Sequence, residues 1–310
     1  MTYKPFLQVD ADSTAYFARQ LETIKKKTYD EKTRPLKGLS LLPRSSEAHP
    51  GASTITYRSY KDIGIAKFIA DYATGNIPKV NVIGVEVSQP IRTFAVGFDY
   101  SIQEVDQSNM TGQNIPARKA IAARKATEQL LNRTALLGDA EFGLNGFLNF
   151  PGNTEYTVPA DGTGSSKLWS TKTPDQIVRD IRGMINAVEV TTNGVEIPNT
   201  VLLPQAQYKY VETTRMGSNT DTTILQFMKT NFSDIKTWMW LTELATLGTG
   251  GTTRMMCGMV DPDHVQFEVP RAFEMLAPQA RGLGWEVPTH GRTAGVLEYY
   301  PLAFAIAEGI

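Results

Sequence analysis

Reactive side chains are scarce in this chain. It has one cysteine, Cys257, and three histidines, His49, His264 and His290. A lone thiol cannot close an intrachain disulfide, so the fold does not depend on an oxidising compartment. Cys257 lies in the apolar stretch Met255-Met256-Cys257-Gly258-Met259-Val260, the setting of a small buried hydrophobe. No two histidines stand at metal-ligand spacing. Asp261 and Asp263 flank Pro262 beside His264, but Asp-Pro-Asp is a common turn, and no metal is expected. Charge of one sign is missing as well: 31 Lys and Arg balance 32 Asp and Glu, a net charge of -1. Tight binding to nucleic acid needs many phosphate-neutralising cations, so this surface can lie beside DNA but not grip it all over. No uncharged apolar run approaches the ~20 residues of a membrane span. The opening Met1-Thr2-Tyr3-Lys4-Pro5 has no apolar signal-peptide core. The expectation is a soluble cytoplasmic product without a membrane partner.

Catalytic motifs are also lacking. There is no G-x-S-x-G elbow, phosphate-binding GxxxxGK[ST] loop or HExxH helix. The Gly248 to Gly251 loop lacks the lysine and helix start that would cradle phosphate, and the adjacent carboxylates Asp30-Glu31 read as a solvated pair. Trp238 and Trp240 stand two apart on an expected strand, hence on one face; core or interface packing is favoured over a stacking platform for sugars or bases. Neither catalytic residue nor cofactor is expected. With 41% hydrophobic residues, 310 residues suffice for two core regions, or one large core with an insertion. So much chain with so little convergent polar chemistry points to structural work.

What is present is organised. Residues 1–44 read as an arm with nine Lys and Arg against five Asp and Glu. Asp12 or Ser13 can cap a helix through Phe17, Leu21 and Ile24, and Lys25, Lys26 and Lys27 suit its C-terminal dipole. Breakers follow from Arg34-Pro35 to His49-Pro50-Gly51. Residues 53–100 read as a long two-stranded excursion. Ser53 to Tyr60 and Val80 to Val87 are its strands, and Phe94, Val96, Phe98 and Tyr100 alternate with small or polar residues. Its tip, residues 61–79, carries Ile63, Ile65, Phe68, Ile69 and Tyr72. So apolar a tip is expected to pack on something else, such as another copy.

Residues 114–136 predict a long helix: Asn114 caps, Pro116 sits in the first turn, and Gly138 stops it. Its stripe is Ala120, Ala123, Thr127, Leu130, Thr134 and Leu137, lean enough for a sheet to approach closely. Residues 139–275 predict an α/β-like section. Thr173-Pro174-Asp175-Gln176 opens a helix with a capping box, burying Ile177, Ile181, Met184, Ile185 and Val188. Thr200 to Leu203 is a buried strand. Helices about 205–213 and 221–231 follow, then strands about 235–241, 253–260 and 265–270. The tail from Gly295 to Ile306 holds one or two apolar strands.

From the hairpin onward the sequence resembles the major capsid proteins of tailed phages with the Hong Kong 97-type fold. The shared residues are Asp62, Gly64, Ala66, Lys67, Pro78 and Glu86, then Lys119-Ala120, Ala122-Ala123-Arg124, Ala126, Glu128 and Asn132. Gly138-Asp139 and Gly143-Leu144-Asn145-Gly146-Phe147-Leu148-Asn149 follow, with Gly295-Val296 and Pro301 in the tail. The Gly-Leu-x-Gly-x-x-Asn segment is the most specific of these.

The resemblance implies an α+β fold in five parts. They are an N-terminal arm (1–52), an extended hairpin or E-loop (53–100), a peripheral domain with a spine helix (101–140), an axial domain (141–275) and a return to the peripheral domain (276–310). It implies subunits that form the pentamers and hexamers of an icosahedral shell around double-stranded DNA, placing the protein in the virion after assembly in the host cytoplasm. Portal, scaffolding or decoration proteins are the other partners implied. The intersubunit residues expected in the E-loop are Ile63, Ile65, Lys67, Phe68, Ile69 and Tyr72, with Lys25, Lys26 and Lys27 on an arm that meets neighbours or DNA. Some relatives crosslink subunits through Lys–Asn bonds; Lys61 and Lys67 lie in the loop, but no partner Asn or activating Glu is identified. An encapsulin-type compartment shares the fold and stands as the alternative, with a small-ligand α/β enzyme more remote.

Overall fold

The computed structural model describes residues 34–66, 68, 78–112 and 114–310. The expected N-terminal helix with Lys25, Lys26 and Lys27 lies outside them, as do Lys67, Ile69 and Tyr72. The segment of breakers after it is not a bare linker. It forms α1 (Lys37–Leu41) and β1 (Arg44–Ser45). Leu42 is buried, and Asn132 Oδ1 accepts from the Gly38 amide at 2.9 Å. Only glycine fits there, because a Cβ on residue 38 would lie 2.7 Å from Leu136 Cγ.

Three ten-residue strands follow: β2 (Thr54–Ile63), β3 (Asn81–Pro90) and β4 (Arg92–Ser101). β2 and β3 pair in unbroken antiparallel register from Thr54↔Pro90 to Ile63↔Asn81. β4 does not belong to this ribbon. It pairs along its whole length with β12, described below, so the two-stranded excursion ends at Pro90 rather than near residue 100. Next, Ser101 and Glu104 form a capping box that opens α2 (Ile102–Thr111), a helix not expected from the sequence.

The long helix α3 (Ile115–Leu137) begins and ends as its signals predict. Asn114 accepts from the Ala117 amide at 3.0 Å, and Gly138 ends it at φ +68°. At 23 residues it is about 34 Å long. Its buried residues are Ala123, Thr127, Thr134, Ala135 and Leu136. The expected stripe holds at Ala123, Thr127 and Thr134; Ala120 and Leu137 are half-buried, and Leu130 is 44% exposed. Near its C-terminus the helix buries a wider face, because α1 packs on it.

The turn after α3 explains the Gly-Leu-x-Gly-x-x-Asn segment. Asp139 and Leu144 exchange backbone hydrogen bonds at 2.8 and 2.9 Å, folding the chain back on itself. A Cβ on Gly146 would lie 2.1 Å from the Gly138 nitrogen. The Asn149 side chain caps the helix by donating to Leu137 O at 3.0 Å, and Asn145 O accepts from the Val296 amide at 3.1 Å.

The middle section contributes β5 (Thr154–Tyr156), α4 (Pro174–Thr191), β6 (Thr200–Pro204), α5 (Gln205–Thr213), α6 (Ile224–Asn231), β7 (Thr237–Leu241), β8 (Arg254–Gly258) and β9 (Val265–Glu268). Thr173 and Gln176 form the expected capping box. Then come β10 (Arg271–Met275), β11 (Gln279–Arg281), β12 (Gly284–Thr293), β13 (Gly295–Glu298) and β14 (Phe304–Glu308). The first three were not expected: Pro288, His290, Gly291 and Arg292 break any apolar alternation in β12. β4 runs along one edge of β12, while β10 and β11 pair with it on the other. The order β5-β14-β8-β6-β7 makes a five-stranded sheet, and β1-β9-β13 a three-stranded one. The last strand therefore joins the sheet of the middle section, whereas β12 joins the strand that follows the hairpin.

The five-stranded sheet is buried on both faces, so its strands read as continuous apolar runs. Val201, Leu203, Met255, Cys257, Ala305 and Ala307 face α4, α5 and α6. Leu202, Met256 and Phe304 face the other way, onto Phe147, Leu148, Leu136, Phe267 and Val296. Cys257 is thus the small core residue expected, and burial raises its thiol pKa.

One charged cluster lies inside this structure. Lys172 and Asp180 are fully buried and 2.6 Å apart. The ammonium also donates to Pro159 O at 2.8 Å and lies 3.2 Å from Asp161, which Arg179 holds from the other side. Asp180→Ala should cost about 3–5 kcal/mol in urea unfolding, because the Lys172 charge stays buried without its partner. The double change Lys172→Met with Asp180→Leu should recover most of that loss. Gly146→Ala should destabilise by roughly 3 kcal/mol, since backbone rather than a flexible side chain occupies the space of its methyl group; calorimetry of the variant checks this.

Candidate assembly interface

No group of three or more His, Cys, Asp or Glu able to hold a metal occurs among the described residues. His264 shows why the Asp261-Pro262-Asp263-His264 segment is a turn. Its Nδ1 meets Asp261 Oδ1 at 2.6 Å, and its Nε2 meets Glu196 Oε2 at 2.8 Å. The carboxylates sit on opposite ring nitrogens and cannot share an ion. Burial works against the imidazolium, but the two carboxylates outweigh it and raise the pKa. Trp238 and Trp240 both pack against the helical core. Trp238 stacks on Phe232, and the Lys37 ammonium lies over the Trp240 ring. In the Gly248 loop the Thr249 amide donates to Glu308 Oε2 at 2.9 Å, so a carboxylate of the chain itself satisfies this loop amide. No described helix is long and apolar enough to cross a membrane.

The β2–β3 ribbon is the distinctive surface. Paired residues in an antiparallel ladder share a face, and faces alternate along each strand. One face therefore carries Ile63, Ile83, Val85 and Val87, with Tyr57 at its root. The other carries the Arg58–Glu86 ion pair at 2.7 Å and the Thr56–Ser88 hydroxyl pair at 2.7 Å. The apolar face lies open: Val85 is 54% exposed, and every β3 residue from Asn81 to Ser88 is exposed. Toward the tip, Ile65 and Val80 are each 73% exposed, Ile63 is also exposed, and Phe68 is fully so. Three of the six expected loop residues are thus in view, and all three are large apolar side chains without cover. The strand residues Val82, Ile83, Val85 and Val87 were missed as interface candidates; their β-branched run was read as a strand, without asking what covers it.

The root is built differently. Gln89 is buried and donates to Ala294 O at 2.6 Å. Tyr57 Oη donates to Glu298 O at 2.9 Å, and its ring meets that of Tyr299 edge-on at 5.0 Å. Burial raises the Tyr57 pKa. The ribbon is therefore fastened at one end to β13 and bare at the other. Exposed apolar side chains recur elsewhere: Ile121 and Leu130 on α3, Phe142 after it, Leu283 between β11 and β12, and Val190, Val195 and Ile197 around the end of α4. Leu130 and Phe142 line a cleft of about 200 Å³ with Phe94 and Leu144.

Searched against curated proteins, the sequence finds no match. Solved structures do match. The capsid of Myoviridae phage XM1 superposes with a TM-score of 0.81 at 20% identity, covering 96% of this chain and 100% of that one. A chain of Mycobacterium phage Ogopogo gives 0.62 at 13% identity, with 94% and 97% covered. The virus-like particle from Pyrococcus furiosus gives 0.53 at 13% identity, with 87% and 91% covered. These likenesses establish the Hong Kong 97-type fold that the sequence led us to expect. The family model described as major capsid protein matches residues 64–310. That match makes this a structural shell protein and does not favour the encapsulin alternative. Running from the first residue after β2 to the last residue of the chain, it shows that the chain belongs to the major capsid protein family.

Proposed function

We propose that this subunit builds the pentamers and hexamers of an icosahedral shell around double-stranded DNA, and that the β2–β3 hairpin clasps the neighbouring subunit. The observation that carries this reading is the open apolar face of the ribbon. A two-stranded ribbon is marginal alone in water, yet this one leaves Ile63, Ile83, Val85 and Val87 uncovered while its root is anchored. Burying each such side chain contributes about 1.5–3 kcal/mol. Ile65, Phe68 and the loop residues Lys67, Ile69 and Tyr72 extend the same contact. In this reading, residues 1–52 are an arm whose Lys25, Lys26 and Lys27 meet neighbours or DNA, residues 101–140 belong to the peripheral domain, and residues 141–275 gather around the shell axes. The protein works in the virion after assembly in the host cytoplasm, and portal, scaffolding or decoration proteins meet the assembled shell. It carries out no catalysis and needs no cofactor.

The double variant Ile83→Lys with Val85→Lys should fold with unchanged circular dichroism and an unchanged urea midpoint, since both side chains face solvent in the subunit. It should give no closed particles in electron micrographs and should sediment as monomers or small capsomers; closed shells from this variant would exclude the ribbon face as the contact. A second expectation concerns covalent links. The sequence identifies no partner Asn or activating Glu for Lys61 or Lys67, so boiled particles should run on a denaturing gel as one band near 34.2 kDa. A ladder of multimers would contradict it.

A further inference from the structure

The hairpin root holds a buried acid that neither fold nor clasp requires. Glu298, the last residue of β13, is 0% exposed. Its Oε1 has no hydrogen-bond partner. Its Oε2 meets only the Asn153 amide, which, oriented to suit its neighbours, donates to it at 3.1 Å and to Pro301 O at 3.3 Å. None of the described lysine, arginine or histidine side chains forms an ion pair with it. His264, whose backbone carbonyl accepts from the Tyr299 amide, spends both ring nitrogens on Asp261 and Glu196. The other titratable groups around the root add negative charge or none: Tyr57 on β2, Tyr299 beside Glu298, Glu268 on β9 and Glu47 before β2. Lys172 shows the contrast, since a charge that must stay buried here is given three oxygen neighbours.

The same residue holds the hairpin. Tyr57 Oη donates to the backbone carbonyl of Glu298, and four residues upstream Ala294 O receives Gln89. Both strands of the ribbon are therefore fastened to the short segment that ends in this carboxyl. We propose that the Glu298 carboxyl is a proton-operated pivot of the hairpin: protonated, it fits a root that offers it no cation partner and fixes the ribbon; ionised, it must be hydrated, and the root loosens so that the ribbon can swing.

The sign follows from burial. Desolvation pushes the Glu298 pKa well above the usual glutamate range in the folded protein. The folded root thus holds a proton that an open root releases. Its stability is complete below the ordinary glutamate pKa and declines as pH rises from there to the raised folded value. Within that window one proton is linked to opening, so the opening equilibrium rises about tenfold per pH unit. The pivot belongs to the single subunit; its consequence for a shell, a clasp that is stiff in acid and adjustable above it, rests on the reading of the hairpin given above.

The test uses the unassembled full-length chain, so its outcome is separate from that of the clasp. Hydrogen exchange, corrected for intrinsic rates, is followed for Thr54–Ile63 and Asn81–Pro90 across pH. Opening of these strands should increase with pH in the wild type, while amides of β6 and β8 stay protected. Glu298→Gln keeps the shape without the charge and should flatten the dependence. An equal dependence in the Gln variant, or none in the wild type, overturns the proposal. Should the variant not fold, infrared pH-difference spectra of the wild type decide. A protonated-carboxyl band surviving above the usual glutamate range, and vanishing as strand exchange quickens, supports the pivot. Loss of all such bands within the ordinary range overturns it.

Discussion

The burial of one five-stranded sheet on both of its faces is the constraint on which the rest of this subunit depends. β6 and β8 send alternate side chains into two separate cores, Val201, Leu203, Met255 and Cys257 into one and Leu202 and Met256 into the other. Neither core closes without the sheet between them. The first is capped by α4, α5 and α6. The second reaches through Phe147 and Phe304, edge-to-face at 5.5 Å, to the end of α3 and to β9 and β13. Phe304 belongs to the last strand of the chain, so the second core contains residues from Leu42 to Phe304 and forms only when distant segments meet.

Against that rigid body the hairpin is exceptional. A chain that buries Val201 and Leu203 completely leaves Val82, Ile83 and Val85 in water. The difference is one of partners, not composition: β6 has neighbours on both edges and both faces, while the ribbon has only its own second strand. Exposed apolar surface on such a lever acquires a purpose when the missing layer is another copy. In the proposed assembly each copy would both offer and receive the clasp, so that a weak contact per subunit accumulates over a closed shell.

Much of this was legible in the sequence, and the failures have definite causes. α3 and α4 carry local signals, Asn114 with Pro116 and the Thr173–Gln176 box, which act within a few residues. β6 is legible because burial on both faces makes it uniformly apolar. β12 was not legible. It contains Gly284, Pro288, His290 and Gly291, and it is a strand because β4 supplies ten consecutive pairs for it. α1 and β1 were missed for the same reason: Gly38 and Pro43 look like breakers until Leu136 and Phe267 are placed beside them. Of the interface, the apolar tip was readable as a surplus of large side chains. The ribbon face was not, since its residues differ from core strand residues only in what covers them.

Buried polar groups separate the parts that must hold from the parts that can adjust. Lys172 and Asp180 are costly to bury, and the structure surrounds them with Asp161, Arg179 and the Pro159 carbonyl. Arg254 likewise meets Glu308 at 2.6 Å and Leu148 O at 3.0 Å, tying β8 to the final strand. These sites lock segments of the sheet body to one another. The root of the hairpin is held instead by neutral donors, Tyr57 and Gln89 on backbone carbonyls, which can part and re-form without separating charges. The proposed shell, in which one subunit occupies several positions, needs this division. In the proposed shell the sheet body would stay the same in every copy, and differences in angle between neighbours would be taken up where the ribbon leaves β13, through bonds that cost little to bend.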